Sequence, residues 1–315
     1  MELGTLELDA QYRALRESTG VLERPDRSRI AVTGSEGAEF LQGQLTNDIE
    51  ALEEGEGCYA VLLDRKGKIR ADMRVLRLAP DHLLIETEAA SGALVLAHLE
   101  MYKIGRDAHV EETSAEHLLL SLIGPSSEEV IGGVPLRPEH AHREIALAGA
   151  ACRAIGTDLG VDLLVPADAV ETVRDFLLAA GAEPIGAEAA EIARVEAGRP
   201  RVGFEIGPQT MPQEAGINER AVSFTKGCYI GQETVARLHY KGKPNRHLRL
   251  LSPERPVEVG DPVTVDGREV GTVGTAVLSP ARGPLALAIL RREAEPGEDV
   301  VVGDGIRATV EEIAA

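Results

Sequence analysis

The residues with the clearest chemical promise lie between Ser223 and Arg237, in the order Ser-Phe-Thr-Lys-Gly-Cys-Tyr-Ile-Gly-Gln-Glu-Thr-Val-Ala-Arg. Gly227 and Gly231 flank Cys228, Tyr229 and Ile230, and Lys226 precedes them. A glycine lets the backbone turn sharply or approach a ligand closely, because it carries no Cβ. The run from Gln232 to Leu238 predicts a short helix, with Glu233 favourably placed in its first turn. Cys228 is then expected in a loop just ahead of a helix N-terminus, with an ammonium two residues away. Both features lower a thiol pKa and raise the thiolate fraction. The alternative is a small apolar cysteine in a loop that needs two glycines for its own path.

The rest of the chain must position that loop. At 315 residues it is long enough for two domains, or three small ones, each with its own core. Tryptophan is absent and aromatics are 3%, so the cores rest on Leu, Val, Ile and Ala. The formal charge of −19 argues against a surface that coats nucleic acid or an anionic membrane. The charge is uneven, however. Between Ala221 and Leu250, Lys226, Arg237, Lys241, Lys243, Arg246 and Arg249 face a single acid, Glu233. This basic island predicts either a local anionic ligand or a solvated basic surface. Cys58, Cys152 and Cys228 form no C-x-x-C pair, which fits a reducing, cytoplasmic setting and no metal site. His140-x-His142, in a Pro- and Glu-containing stretch, reads as a surface accident. Met1-Glu2-Leu3-Gly4 shows no signal-peptide pattern, and no apolar run is long enough to suggest a membrane span.

Taken in order, Leu8 to Ser18 has helical spacing, Arg29 to Thr33 reads as a strand, and a helix carrying Phe40 and Leu41 exits at Asn47-Asp48. Gly57 to Leu63 and Ile69 to Leu78 form a hairpin around Asp64-Arg65-Lys66-Gly67-Lys68. A strand at His82 to Thr87, a helix at Ala89 to Tyr102 and strands at Ala108 to Glu112 and His117 to Ile123 follow. Gly124 to Gly149, with Pro125, Pro135 and Pro138, reads as an irregular connector. Ala151 to Ile155 and Val161 to Val165 read as paired strands, Ala167 to Ala180 and Ala187 to Glu196 as helices, and Arg201 to Gly216 as a long loop. Hairpins and helices interleave without β-α-β alternation, so the fold class is α+β. From Arg246 onward, short strands separated by Gly, Pro and Asp turns predict a small antiparallel barrel or sandwich.

Lys226-Gly227-Cys228-Tyr229-Ile230-Gly231-Gln232-Glu233 resembles the K-G-C-Y-x-G-Q-E signature of the YgfZ family, folate-binding relatives of the glycine-cleavage T-protein. The resemblance extends along most of the chain. Phe40-Leu41-Gln42-Gly43-Gln44-Leu45-Thr46-Asn47-Asp48 is similar to the family's F-L-x-G-Q-x-T-N-D helix, and Leu63 to Asp72 to the hairpin that ends on a folate-facing aspartate. Arg194-Val195-Glu196-Ala197-Gly198 resembles the R-x-E-A-G segment whose glutamate binds the pterin, with Pro212-Gln213-Glu214 following at the expected distance. Gly271-Thr272-Val273-Gly274-Thr275-Ala276 with Ser279-Pro280 resembles the terminal barrel.

The resemblance implies a T-protein-like fold: two interleaved α+β subdomains over residues 1–245, a C-terminal antiparallel β-barrel over residues 246–315, and a central folate channel. It implies tetrahydrofolate as cofactor, with Asp72, Glu196, Lys226, Tyr229 and Gln232 as binding residues and Cys228 and Asp72 as the catalytic pair. A carboxylate such as Glu196 can pair with pterin N–H donors, and Asp72 near the N5/N10 edge would stabilise positive charge on a one-carbon adduct. The basic island could receive the anionic tail. T-proteins carry two adjacent aspartates where this chain has Ala71-Asp72, and they lack the cysteine signature. The implied function is therefore a factor supporting iron–sulfur cluster assembly or repair in client enzymes, tRNA-modifying ones included, with Cys228 as the working thiol. A one-carbon transferase of the T-protein type is the alternative, and a module in which folate is structural or regulatory is a third. Folate and iron–sulfur client or assembly proteins are the expected partners, with no direct nucleic acid and no membrane.

Overall fold

The computed structural model describes residues 7–313, so the Met1-Glu2-Leu3-Gly4 stretch lies outside the described residues. The chain divides into two compact units. The first comprises Met1–Leu62, Ala71–Ala190 and Thr225–Ile230, and the second Leu63–Arg70, Glu191–Phe224 and Gly231–Ala315.

Two sheets build the first unit. One has the strand order Gly57–Leu63, Ile69–Ala79, His82–Glu88, Arg27–Thr33, His109–Glu112. Helices Gly37–Gln44 and Ala89–Tyr102 cover it, burying Phe40, Leu41, Val95 and Leu99 against Ile30, Val32, Leu83 and Ile85. The β-branched and leucine-rich strands suit a pleated surface whose inner face must exclude water. The other sheet runs Glu183–Pro184, Gly20–Arg24, His117–Ile123, Gly160–Pro166, Ala150–Gly156, His142–Leu147. Its core holds Leu120, Leu122, Val161 and Leu163, with Val173 and Leu177 from helix Val170–Ala179. Leu76 and Leu84 of the first sheet join Leu119, Ile155 and Leu164 of the second in a shared apolar cluster.

The predicted strands and helices of this unit are present, with two corrections. Gly20–Arg24 is a strand, paired antiparallel with His117–Ile123. Residues 124–149 are not an irregular connector throughout: they hold the short helix Ser127–Val130 and the edge strand His142–Leu147, paired with Ala150–Gly156. His140 and His142 are 8% and 4% exposed, so the pair is no surface accident. Pro and Gly density hid a strand whose burial comes from its neighbours.

In the second unit six strands, Arg246–Pro253, Gly283–Arg291, Arg268–Ser279, Pro262–Val265, Asp299–Val302 and Ile306–Glu311, close into a barrel in that order. Closure comes from antiparallel pairing of the first and last, Leu250↔Glu311 to Pro253↔Ala308, which leaves no open edge. Small and branched residues fill it, among them Val263, Ala286, Ala288, Val302 and Ala308. The tip Leu63–Arg70 of the predicted hairpin also belongs here, its turn held by Asp64 Oδ1 accepting from the backbone N–H of Lys66 and Lys68 at 2.8 and 2.9 Å.

Candidate functional site

Lys226 organises its corner of the first unit. It is 8% exposed, and its Nζ donates to the carbonyl oxygens of Gln42, Leu45 and Asn47 at 2.7, 2.8 and 2.6 Å. Those carbonyls converge because the segment after helix Gly37–Gln44 folds back on itself. Gln42 Nε2 donates to Asp48 Oδ1, the Ile49 N–H donates to Gln42 Oε1, and Thr46 exchanges hydrogen bonds with the backbone of Val61. Burial drags the Lys226 ammonium down to about 8, opposed by the charges of Asp48, Cys58 and Glu50. Three carbonyl acceptors stabilise the protonated form. Its Nζ also stands 5.2 Å from the centroid of the Tyr229 ring. Burial pushes the Tyr229 phenol up to about 12.

Lys226 is therefore not part of a surface island. Arg249 leaves the island as well, donating Nε to the carbonyl of Ala294 at 2.9 Å, and Arg237 pairs with Glu233 at 2.9 Å. Lys241, Lys243 and Arg246 remain exposed. Of the three cysteines, all among the described residues, Cys152 is buried and Cys58 half-buried; Cys228 is exposed. Burial pushes the Cys58 thiol up to about 12, against the pull of Lys226.

Asp72 lies on strand Ile69–Ala79, half-buried, with Tyr59 Oη donating to its Oδ2 at 2.8 Å and Thr87 Oγ1 donating to its backbone carbonyl at 2.6 Å. Burial raises its pKa above the ordinary 3.8, although the Tyr59 hydrogen bond and the charge of Arg27 pull the other way. The Tyr59 backbone carbonyl in turn accepts from Asn47 Nδ2 at 2.8 Å. Within the first unit the structure thus brings Lys226, Tyr229 and the Cys228 loop into one framework with Asp72.

Glu196 and Gln232 belong to the second unit. Glu196 closes helix Ala187–Glu196, half-buried, and its Oε1 accepts from Ser279 Oγ of the barrel at 2.5 Å. Arg194, on the same helix, binds Glu191 through Nε and Nη2 at 2.9 and 2.6 Å, and reaches Glu205 and the Thr275 hydroxyl of the barrel. Gly198 ends the segment at φ +65, where a Cβ would stand 2.2 Å from Ile313 Cγ2. Gln232 is the half-buried first residue of helix Gln232–Lys241. Gly231, before it, has φ +85, and a Cβ there would lie 2.6 Å from the Asp64 carbonyl oxygen. Nothing stands within 4 Å of a Cβ built on Gly227. Of the two signature glycines, the fold therefore demands the second.

Tyr59 and Asn47 join the site residues that the sequence predicts. Asn47 sits in the Phe40 to Asp48 motif; Tyr59 carries no local sequence signal, and its hydrogen bond to Asp72 gives it meaning.

An α+β unit of two sheets, followed by a closed six-stranded barrel, is the class of fold these observations define. The GCVT N-terminal domain model matches residues 6–226, and the chain belongs to that family. It is 29% identical to an aminomethyltransferase of Herpetosiphon aurantiacus over 90% of this chain and 81% of the relative. A chloroplastic protein of Arabidopsis thaliana that carries a transferase name is 28% identical over 97% of this chain and 73% of its own length. Among solved structures, the glycine cleavage system aminomethyltransferase T from Bartonella henselae superposes with a TM-score of 0.87 at 22% identity, covering 98% of this chain and 90% of that one; the likeness establishes the fold. No described helix is long and apolar enough to cross a membrane.

Proposed function

We propose that this chain is a tetrahydrofolate-binding, YgfZ-like factor that supports iron–sulfur cluster assembly or repair in client enzymes, tRNA-modifying ones included. The observation that carries this reading is Cys228, an exposed thiol two residues from a lysine whose side chain is locked into the interior. A flexible loop would present a thiol in many orientations; an anchored one presents it in few.

Carboxylate acceptors are the residue type that suits a reduced folate. A pterin offers N–H donors, which carboxylates accept with charge-assisted hydrogen bonds. Bound tetrahydrofolate would supply a one-carbon carrier. Asp72, with its pKa raised by burial, is suited to hold or pass a proton, and Tyr59 orients it. Glu196, oriented by Ser279, is proposed as the carboxylate for the pterin, and Gln232 and Tyr229 as further ligand-binding groups. Lys226 contributes by holding the loop.

A second reading, a folate-dependent one-carbon transferase of the T-protein type, is favoured by the aminomethyltransferase relatives. Two variants separate the readings. Cys228→Ser should bind tetrahydrofolate like the parent in a calorimetric titration yet fail to restore a cluster-dependent client enzyme in cells lacking this gene. Full restoration by Cys228→Ser, together with methylene- or methyl-tetrahydrofolate turnover lost in Asp72→Asn, would select the transferase.

A further inference from the structure

Lys226 spends its donors inside the protein. An ammonium has three N–H groups, and three backbone carbonyls receive them at 2.6 to 2.8 Å. One of the three, that of Asn47, belongs to a residue whose side chain reaches onward. Asn47 Nδ2 donates to the Tyr59 carbonyl at 2.8 Å, and Tyr59 Oη donates to Asp72 Oδ2 at 2.8 Å. The same segment is braced a second time, by Thr46 N–H to the Val61 carbonyl at 3.2 Å and Val61 N–H to Thr46 Oγ1 at 3.0 Å. Three hydrogen bonds, joined through the covalent frames of Asn47 and Tyr59, thus link Lys226 to Asp72, all within the first unit.

We propose that Lys226 is a positioning residue that acts through Asn47 and Tyr59 on Asp72, so that one buried ammonium sets both the Cys228 loop and the carboxylate. The consequence for ligand binding rests on the folate reading given above; the linkage itself does not. Asparagine is suited to the middle place because its amide donates while its own backbone carbonyl accepts. Tyrosine is suited to the last because its hydroxyl donates to a carboxylate without adding charge. The charged groups that act on Asp72 are Arg27 and Glu88, paired with each other at 2.9 Å, with Arg27 also paired to Glu86 at 3.0 Å.

The test follows the Asp72 carboxyl by carbon NMR in protein labelled at aspartate, across pH, with tetrahydrofolate affinity measured on the same samples. Tyr59→Phe removes the last hydrogen bond, Asn47→Ala the middle one, and Lys226→Arg keeps the charge while breaking the three-carbonyl geometry. All three should move the Asp72 titration midpoint upward, since each loses or loosens the hydrogen bond that favours the carboxylate. Each should also weaken tetrahydrofolate binding by roughly tenfold. Should Lys226→Arg fail to fold, Asn47→Ala decides, because it changes no charge and leaves the ammonium in place. An unmoved Asp72 midpoint in folded Asn47→Ala overturns the proposal even where folate binds the parent. A midpoint that moves in all folded variants while the parent binds no tetrahydrofolate retires the folate reading and sustains the linkage.

Discussion

Glu86 and Asp72 stand on neighbouring strands of one sheet, and their surroundings drive them in opposite directions. Glu86 is 1% exposed, and burial alone would raise its pKa. Arg74 at 2.6 Å and Arg27 at 3.0 Å overcome that and hold it down to about 2. Arg74 passes the charge on to Asp162 at 2.8 Å, whose other oxygen takes the Ser121 hydroxyl, so the ion network ties one sheet to the other. Asp72 faces a neutral phenol and no guanidinium in contact, and burial wins. Depth alone therefore does not set the direction in which an acid is shifted. The partner does. A carboxylate locked between two cations is held ionised well into acid, while one held by a single phenol is moved towards its protonated form.

The harshest test of this contrast is Glu86→Gln. It leaves Arg74, 6% exposed, beside a neutral amide, and breaking a buried pair from one side costs about 3–5 kcal/mol. Urea unfolding measures it, and a loss under about 1 kcal/mol would show that the network is ornamental. Next comes pH. Glu86 has a folded pKa of about 2 against an ordinary 4.5, so its contribution is present above pH 4.5 and is lost as pH falls from there through 2. Asp72 has a folded pKa above 3.8, so its contribution is present below that value and lost as pH rises through the folded pKa. The stability gap between the parent and Glu86→Gln should then narrow in acid. The gap between the parent and Asp72→Asn should open towards neutrality. Parallel pH curves for the two variants would erase the distinction.

Asp72→Asn gives a smaller and opposite effect. Removing a desolvated charge at neutral pH should raise stability by about 0.5–2 kcal/mol, seen as a higher Tm, while tetrahydrofolate affinity falls. A variant that loses both stability and binding would make Asp72 a structural residue like Glu86. The smallest effect is expected for Glu88→Gln. Glu88 repels the Asp72 charge, so its removal should lower the Asp72 titration midpoint in the same carbon NMR measurement. A rise would mean that Glu88 matters mainly by holding Arg27, its partner at 2.9 Å.

Much of the architecture was legible in the chain. Alternating apolar strands and the Asp64 to Lys68 turn announced the hairpin, and the turns after Arg246 announced a run of short antiparallel strands, which the structure closes into a six-stranded barrel. These are short-range signals, carried by residues a few positions apart, and they survive without knowledge of the partner. The strand His142–Leu147 escaped because its pairing with Ala150–Gly156 crosses a stretch whose prolines and glycines speak for a loop. Likewise the motifs at Gln42 to Asp48 and Lys226 to Glu233 could be seen separately but not as one object.

What the sequence determined by itself is the α+β class, a C-terminal antiparallel barrel or sandwich, the turn at Asp64 and the presence of a cysteine between glycines. The tertiary structure decided what those residues can do. Lys226 reads as one of six cations in a basic window, yet it is withdrawn from solvent by carbonyls about 180 positions away in the chain. Asp72 and Glu86 read as two acids in two strands, yet one meets Tyr59 and the other meets Arg27 and Arg74. Propensity and turn chemistry are properties of neighbours in the chain. Desolvation and hydrogen-bond pairing are properties of neighbours in space, and those set the protonation and orientation on which the proposed chemistry depends.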